Sequence, residues 1–318
     1  MFKDMGKEVV MIEDRSDYPG HPSDPVLLEG AYVPGSTMRW CKTVEDQANA
    51  SMMVYNLVSG PGPIWDRRII GQSTAECYSL DFAPSWRNKV AVASSFGSKV
   101  YFGSNTEYGR LKGILKKIGK ISVCDQNSKK MLEKDGMKAK IVLDPIFLCD
   151  QRIFEDLVEG SKANFPNWYV LSYALHPENL VGDEKLYEAV GMGAVKVCTS
   201  LFDPGKSAGG PVTQVHTVAN WIKSIMESSF VLTDSYHAAA LAILFRKPFV
   251  VITRNASGGG GRIDTMLSML GLGDRLFDSI DQAVESPVLN QSIDYDKVEA
   301  TLEEKRRETV EWIMGGMV

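Results

Sequence analysis

No stretch of this 318-residue chain approaches the roughly 20 apolar residues of a membrane-spanning helix. The N-terminus, Met1-Phe2-Lys3-Asp4, opens without the apolar core of a secretory signal peptide. Cysteine is sparse and scattered. Cys41, Cys77, Cys124, Cys149 and Cys198 are odd in number and none forms a CxxC pair, so neither a disulfide framework nor a metal site is expected. Positive charge is short as well: at a net −5 the chain offers no general surface for nucleic acid. The glycines fit neither P-loop nor dinucleotide spacing. No repeat or low-complexity tract is visible beyond one run of four, Gly258 to Gly261. These absences describe a reduced, cytoplasmic protein. What is present is ordinary for one: 44% hydrophobic and 24% charged residues, in a chain long enough for two domains.

The chain is organised around Ser228 to Thr253. Phe230 to Leu232 is a short apolar run, the signature of a buried strand. Thr233 and Asp234 follow as N-cap residues, and Ala238 to Phe245 are helix formers without a breaker. Pro248 stops that helix, and Phe249 to Ile252 reads as the next buried strand. This strand–turn–helix–strand unit belongs to a parallel sheet. It puts Asp234 and His237 at the carboxyl end of a strand and the first turn of a helix, where open α/β sheets bind ligands and a helix N-terminus favours an anion. The expected role of Asp234 is to cap the helix, to orient His237 three residues on, or both.

Similar alternation runs through the rest of the chain. Strands are expected near 9–12, 52–58, 89–95, 120–123, 139–143, 168–174 and 194–198, with helices near 105–117, 126–135, 183–191, 216–227, 263–270 and 294–314. Ser16 to Ser36, rich in Pro, Gly, Asp and Ser, reads as a long loop. The mixed polar stretch from Cys149 to Phe165 separates two series, giving domains of 1–150 and 151–318, with the last helix packing back over the body. Several strand ends carry candidate ligand contacts. Gly62 lies in the irregular turn Ser59-Gly60-Pro61-Gly62-Pro63, Ser95 and Gly97 close another strand, and His176 follows a third. The glycine run then feeds a helix through Gly260, Gly261 and Arg262. Freed backbone amides, a helix N-terminus and a guanidinium suit a phosphate or carboxylate, with Arg254 as a second cation.

Thr233-Asp234-Ser235-Tyr236-His237, the small-residue helix and Lys247-Pro248-Phe249 resemble the core motif of the polysaccharide pyruvyl transferase family. Further matches follow in family order: Ala93 to Gly97, Ile121-Ser122-Val123, Asp144-Pro145 with Phe147-Leu148, and Arg262 with Leu267 to Arg275. The resemblance spans Val54 to Leu276. There are departures. The expected Gly-Ser-Asp-Gln-Val-Trp keeps only Gly60 and Trp65. Cys124-Asp125 stands where Arg-Glu is usual, Ser235 replaces the arginine of some members, and Ala238 replaces a glycine. Family members also begin with a further strand and an Asn-x-Gly loop, of which Met1 to Gly6 resembles only the tail.

The resemblance implies an α/β protein of two Rossmann-like domains facing a cleft, GT-B-like, with the acceptor on the N-terminal side and the donor on the C-terminal side. It implies transfer of the pyruvyl unit of phosphoenolpyruvate onto a sugar of a surface polysaccharide or its lipid-linked precursor as a ketal. No cofactor is required, and peripheral membrane association stays open. His237, with Asp234, is the candidate acid–base. Arg262, Arg254, Ser235, Gly260, Gly261, His176, Ser95, Gly97 and Gly62 are the candidate substrate contacts. Two other classes stay open: a nucleotide-sugar glycosyltransferase of similar fold and, on the departures, a non-catalytic binding or scaffold relative.

Overall fold

The computed structural model describes residues 10–14, 37–41, 48–49, 51–52, 54–70, 78–198, 212–214, 217–254 and 260–317. The expected helix tail at 1–6, the loop at 16–36, His216, Gly258 and Gly259 fall outside them.

Two parallel sheets carry the molecule. The first holds β3 (Asn56–Ser59), β4 (Asn88–Ser94), β5 (Lys120–Val123) and β6 (Lys140–Ile141), side by side in chain order. A separate parallel pair, β1 (Val10–Asp14) with β2 (Thr37–Cys41), precedes it. The second sheet runs β12-β11-β10-β7-β8-β9, built from β7 (Tyr169–Tyr173), β8 (Gly193–Cys198), β9 (Val212–Gln214), β10 (Phe230–Thr233), β11 (Phe249–Ile252) and β12 (Leu276–Phe277). The opening strand β7 sits in the middle. The order therefore reverses between β7 and β10, which creates a switch point at their carboxyl ends. Every residue of β7, β10 and β11 is buried. That is why each reads as an unbroken apolar run rather than an alternation: parallel strands are covered on both faces.

Helices fill the connections. They are α1 (Asn105–Leu115), α2 (Gln126–Lys134), α3 (Arg152–Glu159), α4 (Glu184–Val190), α5 (Val218–Glu227), α6 (Tyr236–Leu244), α7 (Arg262–Met269), α8 (Ile280–Glu285) and α9 (Tyr295–Met314). Sequence reading missed α3, because its short run lies inside the polar stretch 149–165. Phe154 nevertheless buries against the second core and lies edge-on to Phe245, their ring centroids 5.7 Å apart. The last helix joins the two halves. Val298 and Leu302 of α9 enter the core under the second sheet, whereas Ile313 packs among Val90, Val92 and Val142 of the first. Thr309 accepts the Leu143 N–H at 3.1 Å, tying α9 to the chain just after β6.

Candidate active site

The site forms where the carboxyl ends of the two sheets meet. In α6, Tyr236 and Ala238 through Leu244 are all buried, and His237 is the one exposed residue. A helix apolar all round is a core helix, so a single exposed histidine on its first turn faces the space between the sheets. Although solvent reaches it, loss of hydration by surrounding protein is the leading influence on its ring and lowers its pKa; Asp144 opposes and Arg262 reinforces that shift. An exposed yet desolvated ring is the signature of a cleft wall.

Asp234 does something other than cap α6. Ser235 is the cap, its hydroxyl accepting the Ala238 N–H at 3.4 Å. The buried Asp234 carboxylate turns the other way, across the switch point. It accepts the N–H of Leu175 at 2.6 Å, the N–H of His176 at 2.8 Å and the side-chain amide of Asn179 at 3.0 Å. Two consecutive backbone amides at the end of β7 form a better-oriented donor pair than the α6 amides, so the carboxylate pins the 174–180 loop and leaves the cap to Ser235. Asp234 is thus a loop clamp, and His176 contributes its backbone to it. The His176 ring is exposed, with Nδ1 3.8 Å from Glu178 Oε1. Arg254 is exposed and donates to the Glu178 carbonyl at 2.8 Å, so it braces the same loop.

A different aspartate acts electrostatically on His237. Asp144, only 3% exposed, caps the short 3-10 turn Pro145–Phe147, Oδ1 accepting the Ile146 N–H at 3.0 Å. Proline at the first position of that turn has no N–H to offer. Oδ2 is buried and has no hydrogen-bond partner among the described residues. Burial pushes the Asp144 carboxyl above its ordinary range, against the pull of the Ile146 amide, His237 and Arg262. Arg262 opens α7 and lays its guanidinium over the Tyr236 ring, 5.1 Å from the centroid. Its Nη1 is likewise buried and unpartnered among the described residues. Asp144, His237 and Arg262 therefore share one microenvironment. The carboxylate and the guanidinium each keep an unsatisfied atom, and no salt bridge is formed between them among the described residues.

The first sheet supplies the floor. Gly62, at φ +85°, bridges to Ser94 and lies beside Arg262; a side chain there would come within 3.9 Å of Nη1. Cys124 is buried just beneath, its thiol pushed up by desolvation and far from thiolate character. Ser95 faces inward: its hydroxyl accepts the Gly97 N–H at 2.8 Å and sits 3.4 Å from that of Ser128. Its neighbour Ser94 has a buried hydroxyl with no partner among the described residues. Gly97, at φ +69°, leaves room for the carboxylate of Asp66, which any side chain would strike. Gly260 differs from expectation. Its N–H donates to Asp264 at 2.5 Å instead of turning out to a ligand, because the carboxylate of the first α7 turn lies directly beneath it. Gly261 is the N-cap of α7.

A carboxyl raised by burial, an imidazole lowered by it and a guanidinium with a nitrogen unpartnered among the described residues can donate a proton, accept one and hold an anion. The profile of the polysaccharide pyruvyl transferase family matches residues 2–255. The chain belongs to that family. It is therefore a transferase, of a class that acts on a sugar acceptor in polysaccharide biosynthesis. Asp144, Cys124 and His237 lie within the matched span, and Arg262 lies beyond it. No curated protein sequence matches the chain. Among solved structures, the UDP-N-acetylglucosamine 2-epimerase of Rickettsia bellii is similar at 8% identity and TM-score 0.53, covering 96% of this chain and 88% of that one. The Neisseria meningitidis UDP-GlcNAc 2-epimerase (11% identity, TM-score 0.48, 92% and 95% covered) and the wall teichoic acid polymerase TagF (10%, 0.49, 97% and 89%) are also similar. The likeness is one of fold: two parallel-sheet α/β halves in the GT-B-like arrangement.

Within this member of the family, sequence reading missed Asp144 and Ser94 as candidate site residues. The available signal was an aspartate before a proline at a strand end, where one amide is lost and a carboxylate oxygen is left over. No helix among the described residues is long and apolar enough to cross a membrane. No metal-binding cluster is found among them either.

Proposed function

We propose that the chain moves the pyruvyl unit of phosphoenolpyruvate onto two hydroxyls of a sugar, forming a cyclic ketal. The chemistry balances without a cofactor. The two hydroxyl oxygens form bonds to C2 of the donor, the bond from C2 to the phosphate oxygen breaks, and C3 becomes a methyl group. One hydroxyl proton is matched by the proton gained at C3 and the other leaves with phosphate.

The observation that carries this reading is the pair of buried atoms, Asp144 Oδ2 and Arg262 Nη1, that have no partner among the described residues and belong to the two groups acting electrostatically on His237. Arg262 holds an anionic oxygen of the donor, reinforced by the first turn of α7. Asp144, its carboxyl raised by burial, delivers the proton to C3. His237, its ring lowered by the same cause, enters as the neutral base that receives a hydroxyl proton. Burial shifts the two groups in opposite senses, the carboxyl up and the imidazole down, which suits one to donate a proton and the other to accept one. The acceptor approaches from the first sheet, past Gly62 and Ser94. At the switch point, where a nucleotide would bind in a doubly wound sheet, the Leu175 and His176 amides are taken by the Asp234 carboxylate rather than left for phosphate oxygens, which favours this reading over a nucleotide-sugar transferase.

The test is turnover of phosphoenolpyruvate with a panel of oligosaccharide acceptors. Phosphate release is followed alongside appearance of a ketal methyl signal by proton NMR, with UDP-sugars as parallel donors. Release of UDP with no consumption of phosphoenolpyruvate would replace the proposal by the glycosyltransferase reading.

A further inference from the structure

The N-terminus of α2 belongs to one half of the molecule and is completed by the other. A helix begins with N–H groups that have no partner within it. In α2 the Ser128 N–H is taken by the cap, Asp125, at 2.7 Å. The two amides before it cross to the second half. Gln126 N–H donates to Thr265 Oγ1 at 3.1 Å, and Asn127 N–H donates to the Gly260 carbonyl at 3.0 Å. Thr265 is buried. Gly260 stands at φ +78°, and a Cβ there would lie 2.6 Å from Asn127 Oδ1, so glycine is what allows the close approach. Gly260 and Thr265 bracket Arg262. Asp264 draws in the Gly260 N–H, and the Thr265 N–H returns to the Gly261 carbonyl at 2.9 Å, so the bracket is internally rigid.

We infer that Thr265 and Gly260, with the first-turn amides of α2, form an interdomain latch that positions Arg262. The guanidinium reaches the floor at Gly62 only when the two halves are joined at this point. Thr265 and Gln126 touch no substrate; they are positioning residues, and their effect on the anion passes through Arg262. The inference rests on Arg262 being the anion-holding residue of the proposed reaction. It adds that donor affinity is coupled to contact between the halves.

Two substitutions cut the same bond from opposite sides. Thr265→Val keeps the shape and removes the acceptor. Gln126→Pro removes the donor at the first helical position, where proline is accommodated, and the preceding Asp125 already has the extended backbone that proline requires (φ −147°, ψ 154°). Thr265→Ser keeps the acceptor. Amide hydrogen exchange at Asn127, without ligand, reads the latch directly, and calorimetric titration with phosphoenolpyruvate reads its consequence. Expected are faster exchange and about three- to tenfold weaker binding in Thr265→Val and in Gln126→Pro. Thr265→Ser should match wild type, and the double variant should be no worse than either single one. Unchanged exchange in both cutting variants overturns the latch. Faster exchange with unchanged affinity overturns its role in positioning Arg262. If wild type binds no phosphoenolpyruvate, the proposed reaction fails, and the coupling to donor affinity falls with it. The joint itself is then decided by exchange alone, supported by opening in Thr265→Val that Thr265→Ser restores.

Discussion

Asp234 and Asp144 make an instructive pair. Both are buried at the carboxyl ends of parallel strands, 6% and 3% exposed, and both belong to motifs that resemble the family's. Asp234 accepts three hydrogen bonds, two of them from consecutive backbone amides. Asp144 accepts one through Oδ1 and leaves Oδ2 with none among the described residues. A buried carboxylate that is fully hydrogen-bonded holds structure together. One left half-bonded costs the fold free energy, and that cost persists where a ligand or a reaction makes use of the group. The difference makes Asp234 the clamp and is why the proposed chemistry is given to Asp144, although it is Asp234 that stands three residues from His237 in sequence.

The sharpest way to break this contrast is Asp144→Asn. The amide cannot deliver a proton, so turnover should fall about 10²- to 10⁴-fold, while the thermal midpoint stays level or rises. The signs follow from the shifts. The Asp144 carboxyl is raised above its ordinary 3.8, so its contribution to stability is present at low pH and is lost as pH rises through the folded value. Asparagine does not ionise and should keep that contribution at neutral pH. His237 acts the other way: its pKa is lowered from 6.5, so its contribution is present at neutral pH and is lost as pH falls below 6.5. Urea titrations of wild type and Asp144→Asn between about pH 3 and pH 8, a range spanning both ordinary values, measure this directly. A variant that is less stable yet turns over within threefold of wild type would reverse the two assignments.

Asp234→Ala should do the opposite, strongly to stability and only secondarily to chemistry. It strands two amides and the Asn179 side chain. At about 1–3 kcal/mol for a buried donor left unmade, and less where solvent enters the loop, a loss of about 2–4 kcal/mol is expected by denaturant titration. Arg262→Lys comes next. Charge is kept and the planar fork is lost, so phosphoenolpyruvate affinity should weaken about ten- to a hundredfold by calorimetry, with the unfolding midpoint unchanged. Equal affinities would leave Arg262 as a packing residue over Tyr236.

Much of this architecture could be read from the chain. Buried parallel strands are apolar throughout, so β7, β10 and β11 were legible as runs, and helices with ordinary caps were bounded to within a residue or two. The edge strands β2, β9 and β12 were not, because Thr37–Cys41 and Val212–Gln214 mix polar with apolar residues and Leu276–Phe277 is too short to show a pattern, so pairing rather than pattern holds them in place. At the site, His237 and Arg262 were legible as residue types at strand ends and helix starts. The role of Asp234 was not, since its partners Leu175, His176 and Asn179 lie more than fifty positions away and only the sheet order brings them near. The direction of Gly260 was hidden for the same reason: Asn127 and Asp264 decide it, and only one of them is local.

The smallest expected effect belongs to His176, and it separates the two aspartate regions most cleanly. The side chain is 68% exposed, and its Nδ1 lies 3.8 Å from Glu178 Oε1. A pair so solvated contributes little. What the clamp uses is the His176 N–H, which alanine retains. His176→Ala should therefore change stability by less than about 0.5 kcal/mol. If the chemistry lies with Asp144 and His237, turnover should also stay within about threefold, which corresponds to about 0.7 kcal/mol of barrier. The measurement is kcat/KM for phosphoenolpyruvate in His176→Ala beside His237→Ala. A loss in His176→Ala as large as in His237→Ala would move the acid–base work to the clamp side of the cleft. Asp234 would then orient a catalytic histidine through its backbone, and the contrast between the two aspartates would no longer separate structure from chemistry.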